Sequence, residues 1–268
     1  MAEARGVWYS GGMDKKGKRK DAWIYGRRPV LETLRAGRRE CHELIVPSGP
    51  ATDEVEEMVA LARARRLPVR AAQRGECDRL LGQINHQCCA VRVGGYPYVG
   101  VEEIYEAAEA DPEAIVLVVD HLEDPQNLGS LLRTAEACGV CGVILPEDRG
   151  VLVTPAVVRA SVGASEHLRI AHVVNLAQAM KGLKERNVWL TGLDLAEGAQ
   201  PYTAIDFRGR CGIVVGNEGA GLGNLIGKTC DFIGLIPMEG QVASLNAAVA
   251  GAVVLFEARR QKRAAGKR

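Results

Sequence analysis

Hydrophobic positions along the chain alternate between two patterns. Short apolar runs mark strands, and apolar residues at every third or fourth position mark helices. In the first third, Leu44-Ile-Val46, Pro68-Val-Arg70 and residues 88–93 read as strands, and residues 28–36 and 53–66 as helices. Gly94-Gly-Tyr-Pro97 punctuates the end of this block, and a short acidic helix follows to about Ala110. Further on, Ile115-Val-Leu-Val-Val119 is apolar without interruption, as in a strand buried on both faces. Residues 127–138 are an amphipathic helix, residues 142–145 a strand, and Thr154-Pro155 an N-cap with proline at the first helical position. Residues 175–185 read as a helix, and Trp189-Leu-Thr191, 212–215 and 232–236 as strands. A long apolar helix runs from about 243 to 261. Such alternation predicts an α/β protein with a mostly parallel sheet and helices on both faces.

The same pattern divides the chain. Residues 1–21 are Gly- and Lys-rich without periodicity and read as a basic arm. Residues 22–97 form a small α/β unit, 98–113 an acidic linker, and 114–268 a second α/β unit expected to fold and dimerise alone. The net charge of +1 hides a segregation: six of the first 20 residues are basic, whereas residues 102–124 hold nine acids and no Lys or Arg. Arg27, Arg28, Arg35, Arg38 and Arg39 follow the arm, and further basic residues close the chain. Basic ends suit a polyanion, and solvated tails would have the same composition. No apolar run has membrane-spanning length and the start lacks a secretory pattern, so a cytoplasmic location is expected. Cys138-Gly-Val-Cys141 has half a zinc site's spacing with no second pair, so all eight cysteines read as small buried hydrophobes and no metal is expected.

Three clusters carry chemistry, each after a strand, where open α/β sheets keep their ligands. The first, Asp124-Pro-Gln-Asn127-Leu-Gly-Ser-Leu-Leu-Arg133, opens a helix, whose free N–H groups suit an anion. The second, Gly216-Asn-Glu218-Gly219-Ala-Gly221-Leu-Gly223, concentrates glycine where backbone must approach a ligand. Its spacing is not that of a dinucleotide-binding turn. Gly227-Lys228-Thr229 fails as a P-loop because Leu222 stands where glycine is required. The third, Ile236-Pro-Met-Glu-Gly-Gln-Val-Ala-Ser244-Leu-Asn246, leads into the apolar helix, with Asn246 placed inside its first turn. That helix needs burial beneath the sheet or against a second subunit.

In this order the clusters resemble the signature motifs of the SpoU/TrmH family of RNA 2′-O-methyltransferases, within the SPOUT superfamily. The likeness spans about residues 114–263, includes Arg159-Ala-Ser161-Val-Gly-Ala164, and extends forward through Tyr25-Gly26-Arg27-Arg28-Pro29-Val30. The front part resembles the ribosomal-protein-like RNA-binding domain of members that methylate a guanosine in 23S rRNA. The resemblance implies a trefoil-knotted catalytic domain, S-adenosyl-L-methionine as cofactor and a homodimer. It implies catalytic roles for Asn127, Arg133, Glu218, Ser244 and Asn246, and cofactor contacts at Gly216, Ile236 and Leu245. The five arginines from Arg27 to Arg39 would hold RNA. A tRNA-methylating member and a non-catalytic RNA-binding protein are the alternatives; the front domain argues against the former, the intact motifs against the latter.

Overall fold

The computed structural model describes residues 21–148, 150–217, 219 and 221–265; the basic arm and Glu218 lie outside them. The chain forms two compact units. The first begins with β1 (Ala22–Tyr25), α1 (Arg27–Ala36), β2 (Cys41–Pro47), α2 (Asp53–Ala64), β3 (Val69–Ala72), α3 (Arg74–Leu81) and β4 (Ala90–Val93). The sheet order is β1-β4-β2-β3, antiparallel except for the parallel β2–β3 pair. α1 buries Val30, Leu31 and Leu34 on one face, as the 3.6-residue period requires. Gly37 then ends it at φ 63, returning its N–H to the Thr33 carbonyl.

The second unit opens with α4 (Val101–Ala110), β5 (Ile115–Val119), α5 (Pro125–Ala137) and β6 (Gly142–Pro146). The chain then makes an excursion. Residues 153–167, with α6 (Pro155–Ala160), belong to the first unit, although the motif they carry lies in the midst of catalytic-domain sequence. Thr154 caps α6 as expected, its Oγ1 accepting the Val157 N–H at 3.4 Å. Glu166 binds Arg39 through Nε at 2.8 Å and Nη2 at 3.0 Å, with both side chains almost wholly buried. The Arg39 guanidinium also lies 4.8 Å over the Tyr96 ring, whose hydroxyl donates to the Ser165 carbonyl at 2.7 Å.

The second unit resumes with β7 (Ile170–Val173), α7 (Leu176–Lys184), β8 (Trp189–Leu193), β9 (Gln200–Pro201), β10 (Cys211–Val215), α8 (Asn224–Thr229), β11 (Phe232–Leu235) and α9 (Ala247–Ala265). Its seven strands run in the order β7-β6-β5-β10-β8-β11-β9, every pair parallel. β5 and β10 at the centre are buried along their whole length, which explains their unbroken apolar sequence. On one face lie α4 and α7, whose Ile104, Ala108, Met180 and Leu183 enter one core with Val116 and Val214. Residues 98–113 therefore supply core side chains, and a fragment beginning at residue 114 would lack them. α9 packs on α5 and β10, close enough that a Cβ on Gly251 would lie 2.7 Å from Leu131. No helix among the described residues is long and apolar enough to cross a membrane.

Candidate active site

The parallel sheet delivers three loops to its carboxyl edge. After β10, Asn217 and Gly221 exchange backbone hydrogen bonds at 3.0 Å each, closing a tight loop. A Cβ on Gly216 would lie 2.3 Å from the Gly221 carbonyl oxygen, so only glycine lets the backbone pass. Two carboxylates hold the loop's exit. Asp120, buried after β5, accepts the Gly223 N–H at 2.8 Å, and Asp194, after β8, accepts that of Leu222 at 3.0 Å. The Asn217 amide bridges in the other direction, donating to the His121 carbonyl at 3.0 Å and accepting the Gly219 N–H at 2.9 Å.

The loops after β8, β10 and β11 enclose a cavity of about 320 Å³, within the size range of small-molecule sites. Gly216, Ile236, Ser244 and Leu245 all line it, so four positions predicted from separate motifs share one chamber. Leu193 and Asp194, outside all three clusters, also line it, as does Met238 from the third. The first two end a strand at the edge where ligands gather, which was the available signal.

Asn246 and Asn127 meet beside this chamber, Asn246 Nδ2 donating to Asn127 Oδ1 at 3.0 Å. Their placement differs from the sequence reading. α9 begins at Ala247, about four residues later than its hydrophobicity suggests, because residues 241–246 are exposed and irregular. Asn246 is therefore the helix cap, its Oδ1 accepting the N–H groups of Ala248 at 3.0 Å and Val249 at 3.2 Å. Asn127 does not cap α5. That role falls to Asp124, which accepts the Gln126 N–H at 3.1 Å. Arg133 stands exposed on α5, six residues after Asn127 and so about 9 Å further along the axis. It makes no hydrogen bond or ion pair with another described residue, and it does not line the cavity.

The arginines of the first unit separate into distinct environments. Arg28 and Arg35 are exposed, the former 2.7 Å from Glu54, the latter forked onto Glu57 at 2.8 Å with both contacts and held to Glu32 at 2.7 Å. Arg27 borders a smaller cavity in this unit. Arg38 is half-buried, donating to the Pro97 carbonyl at 3.2 Å. Arg39 corrects the sequence reading. Its guanidinium is committed to Glu166, and releasing it to phosphate would leave that carboxylate buried and unpaired.

Comparison with known proteins agrees with this geometry. Residues 114–256 match the SpoU rRNA Methylase family, and residues 23–99 the RNA 2′-O ribose methyltransferase substrate binding family. YacO of Bacillus subtilis, named as a TrmH family tRNA/rRNA methyltransferase, is 35% identical over 247 residues, covering 91% of this chain and 98% of its own. The AdoMet-bound rRNA methyltransferase of Sinorhizobium meliloti superposes with TM-score 0.75 at 26% identity, over 90% of this chain and 87% of its own. The SpoU methyltransferase AviRb of Streptomyces viridochromogenes, in complex with AdoMet, gives 0.76 at 25%, over 91% of each.

Parallel sheet, glycine-bounded cavity and these likenesses define an S-adenosylmethionine-dependent RNA methyltransferase. The chain belongs to the SpoU rRNA methylase family. The cavity's composition fits that cofactor. Leu193, Ile236 and Leu245 offer apolar wall to a nucleoside, the glycines offer bare backbone, and Asp194 offers a carboxylate to a cationic molecule.

Proposed function

We propose that this enzyme methylates the ribose 2′-hydroxyl of a guanosine in 23S rRNA, acting as a cytoplasmic homodimer. The reading is carried by the meeting of two motif loops, at Gly216 and at Ile236–Leu245, on one cavity, with Asn127 of the first motif tied beside it to Asn246. S-adenosylmethionine supplies a methyl group activated by a sulfonium. The chain's own residues handle the hydroxyl, a poor nucleophile whose oxygen must be held in line with that methyl. Asn127 and Asn246 orient the ribose, and Ser244 supports the floor of the site. The backbone at Gly216, Ile236 and Leu245 holds the cofactor. Arg133 holds the target's phosphate and hydroxyl and stabilises the negative charge that grows on the oxygen as its proton passes to solvent. A guanidinium is almost always protonated, so it acts as a positioned cation and not as the base. Glu218, outside the described residues, would orient Arg133.

RNA recognition falls to the first unit, through Arg27, Arg28, Arg35 and Arg38. The ion pairs of Arg28 and Arg35 are solvent-exposed, so a phosphate can take the place of the carboxylates. Val242, Val249 and Phe256 leave apolar surface exposed around α9, which supports a subunit contact there. The trefoil knot implied by the motifs belongs to the same reading.

The test is methyl transfer from labelled S-adenosylmethionine to deproteinised 23S rRNA and to bulk tRNA, by the wild type and by Arg133→Ala. The reading expects label in 23S rRNA, at least a hundredfold less with Arg133→Ala, and cofactor affinity within about threefold of wild type. Transfer to tRNA alone would move the target to the alternative named by the YacO relative.

A further inference from the structure

The first unit contains a cluster that its RNA-binding role does not use. Cys77 on α3 and His86 and Cys88 in the segment before β4 bring their ligand atoms within 4.8 Å of one another. Cys77 and His86 are 1% and 2% exposed, and Cys88 is half-buried. Two thiols in an apolar core need no explanation alone, and Cys77 does pack with Ile45, Ala72 and Ala90. The histidine between them does.

Asp78 Oδ1 lies 3.0 Å from His86 Nε2, and His86 Nδ1 lies 2.9 Å from the Cys88 N–H. The second contact makes Nδ1 the acceptor, so the proton sits on Nε2, facing the carboxylate. This is the arrangement in which a carboxylate orients and strengthens a metal-ligating imidazole. The backbone contributes as well. Gln87 and Cys88 both adopt left-handed conformations, each at φ 53, uncommon for residues other than glycine, and the Cys88 thiol comes within 4.8 Å of the Cys77 thiol. A cavity of about 220 Å³ bordered by His86 and Cys88 offers a route of entry.

We propose that Cys77, His86 and Cys88 form a binding site for a thiophilic divalent cation of the zinc type, tying α3 to the lead-in of β4. Two thiolates and one neutral imidazole suit such an ion and cancel its charge within the unit. Binding releases two protons, one from each thiol, and transfers the Nδ1 lone pair from the Cys88 N–H to the metal. Zinc–ligand bonds of about 2.0–2.3 Å imply ligand atoms roughly 3.5–3.8 Å apart, so closure asks for a shift of about 1 Å. The spacing, eight residues between Cys77 and His86 and one before Cys88, matches no common zinc signature, which is why the sequence alone does not reveal it.

Cobalt(II) provides the test, because a thiolate bound to it absorbs by charge transfer in the near ultraviolet. The full chain, stripped with a chelator and kept reduced with a phosphine, is titrated with cobalt and then with zinc. The proposal expects one equivalent bound with a thiolate band, displaced by zinc. Cys88→Ser should lose most of that band, and Cys138→Ser should keep it. Asp78→Asn should keep the band while weakening affinity about 10- to 100-fold. No charge-transfer band in the wild type overturns the proposal, as does a band of full strength in Cys88→Ser. Should Cys88→Ser fail to fold, His86→Gln takes its place, and a band of unchanged shape and affinity there overturns the proposal.

Discussion

At the scale of single residues, Asn246 serves two structures with one amide. Its oxygen caps α9 and its nitrogen holds Asn127, so the helix that buries the second unit's core also fixes the pair proposed to orient the ribose. The two uses separate by substitution. Serine keeps a capping oxygen but is too short to reach Asn127, so Asn246→Ser should unfold within about 0.5 kcal/mol of wild type and yet lose at least tenfold in kcat. Asn246→Ala should lose as much activity and about 1 kcal/mol of stability besides. Urea denaturation and steady-state kinetics on both variants check this, and a wild-type kcat in Asn246→Ser would remove the pair from the mechanism. Much of this site was legible in the sequence, because Gly216 and Ile236 directly follow strands and Ser244 and Leu245 lead into the long apolar helix. The Asn127–Asn246 bond was not, since 118 residues separate the partners and no local pattern reports such a meeting.

At the scale of elements, the excursion of residues 153–167 decides the most. A solvent-exposed fate for Arg39 follows naturally from its place in an arginine-rich stretch, and a catalytic-domain fate for Glu166 from its neighbours in sequence. The fold instead buries them together. Removing one partner of a buried ion pair costs about 3–5 kcal/mol, because the other charge stays without solvent or partner. Glu166→Ala should therefore lose that much in denaturant unfolding, and Arg39→Met combined with Glu166→Leu should regain most of it. A loss below about 1 kcal/mol in the single variant would mean that the pair is solvated. The long apolar strands were readable, because burial on both faces leaves no polar positions. α3 was not, since it turns only Cys77 and Leu81 into the core, nor was the four-residue strand β7. The start of α9 was misplaced because Val242, Ala243 and Leu245 continue its apolar pattern while remaining outside the helix.

At the scale of the molecule, buried thiols set a limit on stability at high pH. Burial pushes Cys211 on the central strand β10 from 9.0 up to about 11, and Cys141 likewise to about 11. A folded thiol with a raised pKa keeps its full contribution below pH 9 and loses it as pH rises through about 11, since only the unfolded chain ionises freely. The loss is on the order of 3 kcal/mol for Cys211, two pKa units at about 1.4 kcal/mol each. Thermal unfolding at pH 8 and pH 11 should show a smaller alkaline decline in Cys211→Ala than in wild type, and equal declines would contradict it. A 2′-O-methyl ribose cannot cyclise onto its 3′-phosphate, so alkali leaves the next bond uncut. After methylation of 23S rRNA with labelled cofactor and complete alkaline hydrolysis, the label should appear in dinucleotides. Label in mononucleotides would place the methyl on a base and contradict the account.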